Sequence, residues 1–156
     1  EGVERTRLEL LASELGVRDR VIFRGGVPPA LMPEALNRFD LLVVPSRTRR
    51  NWKEQFGRVI IEAMSCGVPV VGSSSGEIPH VIGDPALVFP EDDVDALVRL
   101  LNDLLSDPER LRRLGEAGRR RVLTHYTQRR IAEQYYAVYQ SMLAARRFGS
   151  PVTERS

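Results

Sequence analysis

The chain has 156 residues, 42% of them hydrophobic and 28% charged, which suits one globular domain with a core of its own. Its 23 basic and 21 acidic residues leave a net charge of +2, too small a surplus to point to nucleic acid as a partner. The single cysteine, Cys66, excludes an internal disulfide and fits a reducing cytoplasm, and no run approaches the roughly 18 apolar residues of a membrane span.

The start, "EGVERTRLELL", has neither Met nor an apolar h-region, so it reads as neither a signal peptide nor a natural initiation. Leu8, Leu11, Ala12 and Leu15 follow i, i+3, i+4, i+7 spacing and predict an amphipathic helix, stopped at Gly16 and Val17 by a Schellman turn. "RVIFRG" (20–25) is β-rich and closed by glycine, a strand pattern. "PALMPEALNRF" (29–39) predicts a helix with Pro33 in or near its first turn. "LLVVPS" (41–46) is an uninterrupted apolar run, as expected of a strand buried on both faces.

A basic loop, "RTRRNWK" (47–53), leads to a helix with Phe56, Val59, Ile60, Ala63 and Met64 on one stripe. "PVVGSSSG" (69–76) reads as strand then turn, "EIPHVIG" (77–83) as a short helix and "ALVF" (86–89) as a last strand. Val94, Leu97, Val98, Leu101, Leu104 and Leu105 form a helical stripe capped by Asp92 or Asp93. Two more helices are expected near 108–123 and 128–145, the second with Ile131, Tyr135, Val138 and Met142 turned inward. Residues 147–156 carry no pattern and are expected to be a disordered tail. Strands alternating with helices predict an α/β fold, a Rossmann-like parallel sheet with right-handed crossovers and flanking helices.

The informative stretch is "EQFGRVIIEAMSCGVPVV" (54–71). On a helix turning about 100° per residue, Glu62 falls opposite the apolar stripe, one turn beyond Arg58. One reading is an Arg58–Glu62 i,i+4 pair with Glu54 as a first-turn carboxylate favoured by the helix dipole. The other begins from the preceding strand and loop. A strand, a loop and "EQFG" opening a helix place free amides beyond the carboxyl edge of a sheet, where open α/β folds bind ligands and helix N-termini hold phosphates. Carboxylates beside such a site require hydroxyl donors on the ligand. A diphosphate between two hydroxyl-bearing rings, a nucleotide sugar, satisfies both demands. Neither GxGxxG after a strand nor a Walker A motif is present, which leaves dinucleotide and P-loop readings unsupported.

The same stretch resembles the donor-site signature of the GT-B retaining glycosyltransferases of family 4, with two glutamates separated by seven residues, QFGRVII. "DRVIFRG" (19–25), "LLVVPSR" (41–47), "SGEIPHVIGDPALVFPEDD" (75–93) and "LLSDPERLRRLGEAGRRRV" (104–122) follow the family pattern in order. The resemblance implies the C-terminal, donor-binding domain of such an enzyme, with about four of six strands present and residues 1–146 forming a partial nucleotide-sugar-binding domain. It implies that Glu54 is catalytic, set against the donor-sugar hydroxyls near the reacting carbon. Glu62 would accept from ribose hydroxyls. The amides of Gln55, Phe56 and Gly57 would meet sugar and diphosphate, and Arg24 and Gly25 would lie near the nucleobase. It also implies retention of anomeric configuration, no cofactor and no metal, a nucleotide sugar as donor, and an N-terminal acceptor domain as partner. Peripheral membrane association of the whole enzyme is open under it.

Two departures stand out. His80 replaces the glutamate that usually follows "SGEIP". The family's two strands upstream of "EGVERTR", with the arginine and lysine that clamp the diphosphate, have no counterpart here. The chain is therefore expected to pair 20–24 with 41–44, to borrow strands from a partner chain, or to be an excerpt, and not to catalyse transfer alone. Arg47 and Lys53 are candidates to replace the clamp. A non-catalytic nucleotide-sugar-binding or interaction module is the alternative. The arginines of 110–121 read as a solvated helix face, and Cys66 as a small side chain at a helix end. Trp52 either stacks on a ligand or covers the helix end, and exposed Tyr135, Tyr136 and Tyr139 would mark an interface.

Overall fold

The computed structural model describes residues 2–147, with side chains through residue 145. The chain divides into two compact units, Glu1–Ala35 and Leu36–Ser156. Of the expected tail, 147–156, residue 147 is the last of a helix, and 148–156 lie outside the described residues.

In the first unit, α1 (Arg5–Glu14) ends as the sequence predicts: the amide of Val17 donates to Ala12 O at 2.9 Å and that of Gly16 to Ser13 O at 3.0 Å, the paired bonds of a Schellman turn. Of its expected apolar stripe, Ala12 is buried, while Leu8, Leu11 and Leu15 are exposed. The expected strand at 20–25 is not formed. Arg18–Arg20 is a 3-10 turn, and the backbone then runs without regular structure, extended at Val21 (φ −114, ψ 120). A strand exists by its ladder, and this unit offers no second strand to pair with. The predicted helix at 29–39 shortens to a 3-10 turn at Pro29–Leu31 and α2 (Met32–Leu36).

The second unit is built on a parallel sheet of three strands, β1 (Leu42–Val44), β2 (Val70–Ser73) and β3 (Val88–Phe89), in spatial order β1-β2-β3. Among the described residues three strands stand where the sequence suggested four. Val43 pairs with Val71, and Gly72 lies between Val44 and Val88. All four residues of β2 are buried, as a central parallel strand requires, whereas β1, the apolar run expected to be buried on both faces, leaves Leu42 and Val43 half-buried because it stands at the edge of the sheet. Helix α3 (Arg58–Ser65) connects β1 to β2 and buries Ile60, Ala63 and Met64; α4 (Ile78–Ile82) connects β2 to β3 and buries Ile78, Val81 and Ile82. Helix α5 (Val94–Leu105) is capped by Asp93, whose Oδ1 accepts the Ala96 amide at 2.8 Å, and drives Leu104 fully into the core. Asp107 caps α6 (Pro108–His125) in the same way, and α6 packs against α3.

Helix α7 (Gln128–Arg147) forms where expected but with its stripe uncovered. Ile131 is half-buried, whereas Tyr135, Val138 and Met142, expected inward, are 60%, 53% and 61% exposed, and Tyr136 and Tyr139 are exposed beside them. The periodicity is real, but only the first turn of the helix is covered. No helix among the described residues is long and apolar enough to cross a membrane.

Candidate functional site

Parallel strands point their carboxyl ends the same way, so the segments that leave β1, β2 and β3 meet at one edge of the sheet. The Ser73 hydroxyl donates to Ser46 O at 2.6 Å, tying the end of β2 to the exit of β1. The Glu91 amide donates to the Ser74 hydroxyl at 3.1 Å, tying the exit of β3 to the end of β2. Between these ties rises the basic loop, folded into a tight hairpin in which Arg49 N donates to Trp52 O at 2.7 Å and Trp52 N to Arg49 O at 3.2 Å.

Glu54 follows this hairpin and is not in the helix. The predicted first-turn position is corrected by Gly57, which sits in the left-handed region (φ 69, ψ 61) and breaks the helix there, so that α3 starts at Arg58. Glu54 is instead built into the turn between β1 and α3. Its carboxylate Oε1 accepts the Gly57 amide at 3.0 Å, and Oε2 accepts the Ser46 hydroxyl at 3.5 Å. Its carbonyl accepts the Glu77 amide at 3.1 Å. The acid is half-buried and fixed at backbone and side chain alike. One amide expected to face a ligand, that of Gly57, is thus engaged by Glu54. Those of Gln55 and Phe56 form no hydrogen bond within the described residues. The Phe56 ring turns to Tyr126, edge to face at 5.8 Å between centroids, which anchors the turn on the end of α6.

A cleft of about 860 Å³ opens here, lined by residues 48–53 together with Glu54, Gln55 and Glu77. Arg49, Arg50 and Lys53 are exposed in its wall, and no carboxylate among the described residues pairs with them. Trp52 is 51% exposed and lines the cleft. Glu62 lies on α3, outside the lining of this cleft. It is half-buried, and the Arg58–Glu62 pair, one of the two readings of its spacing, is not formed. Arg24 and Gly25 belong to the first unit, where both are exposed. The structure therefore gathers Glu54, Gln55 and the basic hairpin around one cleft.

Sequence reasoning did not single out Ser46, Ser73, Ser75, Thr48 and Glu91, the groups that shape this edge. The signal was the small polar run "GSSSGE" (72–77), which begins within the buried strand β2 and continues past its end. Thr48 donates from its amide to Glu91 Oε2 at 2.5 Å and from its hydroxyl to Oε1 at 2.8 Å, and shares a 3.0 Å hydroxyl contact with Ser75. The Thr48 amide, followed by its hydroxyl, holds the Glu91 carboxyl below its ordinary value. His80 is exposed near the end of α4, and its carbonyl is taken by Arg121 at 2.7 Å. Cys66 caps the C-terminal end of α3 and is half-buried. Among the described residues no cluster of His, Cys, Asp or Glu is disposed to hold a metal ion.

The family model for glycosyl transferases group 1 matches residues 1–121. The chain is 38% identical over 123 residues to the GDP-mannose-dependent alpha-(1-6)-phosphatidylinositol monomannoside mannosyltransferase of Mycolicibacterium smegmatis, covering 76% of this chain and 32% of that protein. It is 36% identical over 140 residues to the MMP alpha-(1->4)-mannosyltransferase of Mycolicibacterium hassiacum, covering 87% of this chain and 33% of that one. In three dimensions it is similar to the sucrose-phosphate synthase of Thermosynechococcus elongatus, with a TM-score of 0.78 at 35% identity over 92% of this chain and 35% of that structure. The chain spans about a third of the length of the curated relatives it matches.

Proposed function

Because the chain belongs to the glycosyl transferases of group 1, we propose that its sheet edge is the donor side of an enzyme that moves a hexose-type sugar from a nucleoside-diphosphate sugar to an acceptor, with retention of configuration. The observation that carries this reading is the placement of Glu54, a half-buried acid fixed in the wall of an open basic cleft. The names of the relatives support a nucleotide-sugar donor, one of them being GDP-mannose-dependent.

In this reading the amides of Gln55 and Phe56 and the cations of the hairpin meet the diphosphate. Glu54 accepts from the sugar hydroxyls beside the reacting carbon, and Glu62 from the ribose hydroxyls. The bond from the anomeric carbon to the diphosphate oxygen breaks, and the acceptor oxygen bonds to the same face. Its proton passes to the departing phosphate oxygen, so no protein base and no metal is required. Donors already aimed at the leaving group supply most of the stabilisation, since they need no reorganisation as its charge grows. The acceptor domain belongs to the rest of the protein, and the exposed Tyr135, Tyr136 and Tyr139 face of α7 is where we place the contact with it. The isolated chain then binds donor without turning it over.

One observation favours the alternative, a binding or interaction module without catalysis: both oxygens of Glu54 already accept hydrogen bonds from the chain. Calorimetry of the 156-residue chain with GDP, UDP and ADP tests the proposal. Binding of one nucleotide over the others, weakened by Glu62→Gln, is expected; equal indifference to all three overturns it. The anomeric configuration of the product, read by NMR on a protein that includes the acceptor domain, tests retention.

A further inference from the structure

The loop that lines the cleft is crowded with positive charge. Arg47, Arg49, Arg50 and Lys53 lie within seven residues, and nothing in β1 determines where a hairpin of mutually repelling cations should stand. Its anchor comes from across the sheet. Glu91, just beyond β3, takes both the amide and the hydroxyl of Thr48 on its two oxygens. The next residue, Asp92, pairs with Arg47. Asp92 is also the one non-glycine residue among those described with positive φ, at 64°. A residue held in that region marks a turn whose shape the surroundings impose. Ser75 joins Thr48 from the end of β2, and Ser74 accepts the Glu91 amide.

We propose that Glu91 is a positioning residue: clamped on Thr48 and backed by the Asp92–Arg47 pair, it fixes the base of the hairpin so that Arg49, Arg50, Trp52 and Lys53 face the cleft. The division of labour is visible in the charges. Carboxylates hold the foot of the loop at 47 and 48, and none is spent on Arg49, Arg50 or Lys53, whose charge stays directed outward. Glu91 acts through Thr48 and touches no ligand itself. The inference rests on the glycosyl-transfer reading only for what the loop meets in the cleft.

Trp52 is the sole tryptophan of the chain and sits in the hairpin, so its fluorescence reports the loop without any ligand. At neutral pH, Glu91→Gln and Thr48→Val should raise the acrylamide quenching constant of Trp52 up to roughly twofold, since freeing a half-exposed ring exposes the remainder. Thr48→Ser keeps both donors and should match the parent chain. Far-UV circular dichroism and the melting temperature should stay close to the parent values, because the clamp lies at the exposed edge. Unchanged quenching in Glu91→Gln and Thr48→Val, or equal quenching in Thr48→Ser and Thr48→Val, overturns the proposal. Calorimetry with GDP, UDP and ADP on the same variants reads the donor site separately. A freed loop in a chain that distinguishes none of the three upholds the clamp and removes the function proposed above.

Discussion

Gly76 passes so close to Glu54 that a Cβ on it would stand 2.8 Å from the Glu54 carbonyl carbon and nearer still to the oxygen. The contact is with backbone, so no side-chain rotation relieves it. The adjacent Glu77 amide holds that same carbonyl at 3.1 Å. Gly76 also has φ +57, a region that L side chains rarely occupy. Gly76→Ala should therefore lose about 1–2 kcal/mol from backbone conformation and roughly 1–3 kcal/mol more from overpacking. Urea unfolding measures the first effect. Calorimetry measures the second consequence, a displaced Glu54 and a weakened site for nucleoside diphosphates. A variant as stable as the parent would show that the turn yields without moving Glu54.

Glu62 tests the donor site without touching the turn. Its carboxylate is half-buried yet makes neither an ion pair nor a hydrogen bond among the described residues. Glu62→Gln should leave stability within about 0.5 kcal/mol of the parent chain. If the carboxylate accepts from a ribose diol, its loss should weaken nucleotide binding by about 1.5–3 kcal/mol, tenfold or more. Affinity that does not change would remove Glu62 from the donor site and leave it as a surface acid of α3.

A third prediction concerns the support behind the sheet. Arg121 reaches from α6 to the C-terminal end of α4, donating from Nε to Val81 O at 3.0 Å and from Nη2 to His80 O at 2.7 Å. The last carbonyls of a helix lack intrahelical partners, and a guanidinium satisfies two of them at the negative end of the dipole. The side chain is half-buried, and it lies under the Tyr126 ring that receives Phe56. Arg121→Ala should cost about 1–2 kcal/mol, with Arg121→Lys intermediate because one ammonium cannot fork to both carbonyls. The neighbouring Arg120→Ala, on an exposed side chain, should stay within about 0.5 kcal/mol. Equal melting temperatures for the Arg121 and Arg120 variants would refute the capping role.

What the sequence disclosed and what it withheld divide along sequence separation. Gly16 and Val17, the Asp93 cap and the strand at β2 are set by neighbours a few residues away, and each stands as the pattern implies. The run at 41–46, expected to be buried on both faces, is half-buried at Leu42 and Val43 because β1 is an edge strand, which no local pattern announces. The strand at 20–25 depends on a partner strand, and its local β propensity was not enough to form one. The helix expected from Gln55 overlooked Gly57, whose left-handed conformation moves Glu54 out of the helix and into the cleft wall. The serines after β2 read only as a turn, because their partners Ser46 and Thr48 lie 27 residues away in each case. Thr48 and Glu91 are 43 residues apart, and no periodicity links them. The family motif pointed to this edge of the sheet; the contacts that shape the edge are non-local and leave no local pattern.

The Thr48–Glu91 contact carries a pH dependence whose sign follows from its cause. Hydrogen bonds from the Thr48 amide and hydroxyl lower the Glu91 value, against smaller opposing effects of burial and of the Asp92 charge, which is itself paired with Arg47. A carboxyl whose value is depressed in the folded chain adds stability above its unfolded value and loses it as pH falls through the folded one. The clamp should thus be intact at neutrality and open in acid, below the pH at which an unperturbed glutamate takes up its proton. Trp52 quenching followed against pH should show a late acid step in the parent chain, and that step should be missing in Glu91→Gln, where the loop is already free at neutrality. Far-UV circular dichroism in the same titration separates loop release from acid unfolding. An acid step of equal size in both chains, with circular dichroism unchanged, would assign the transition to some other carboxyl and leave the hairpin without its anchor.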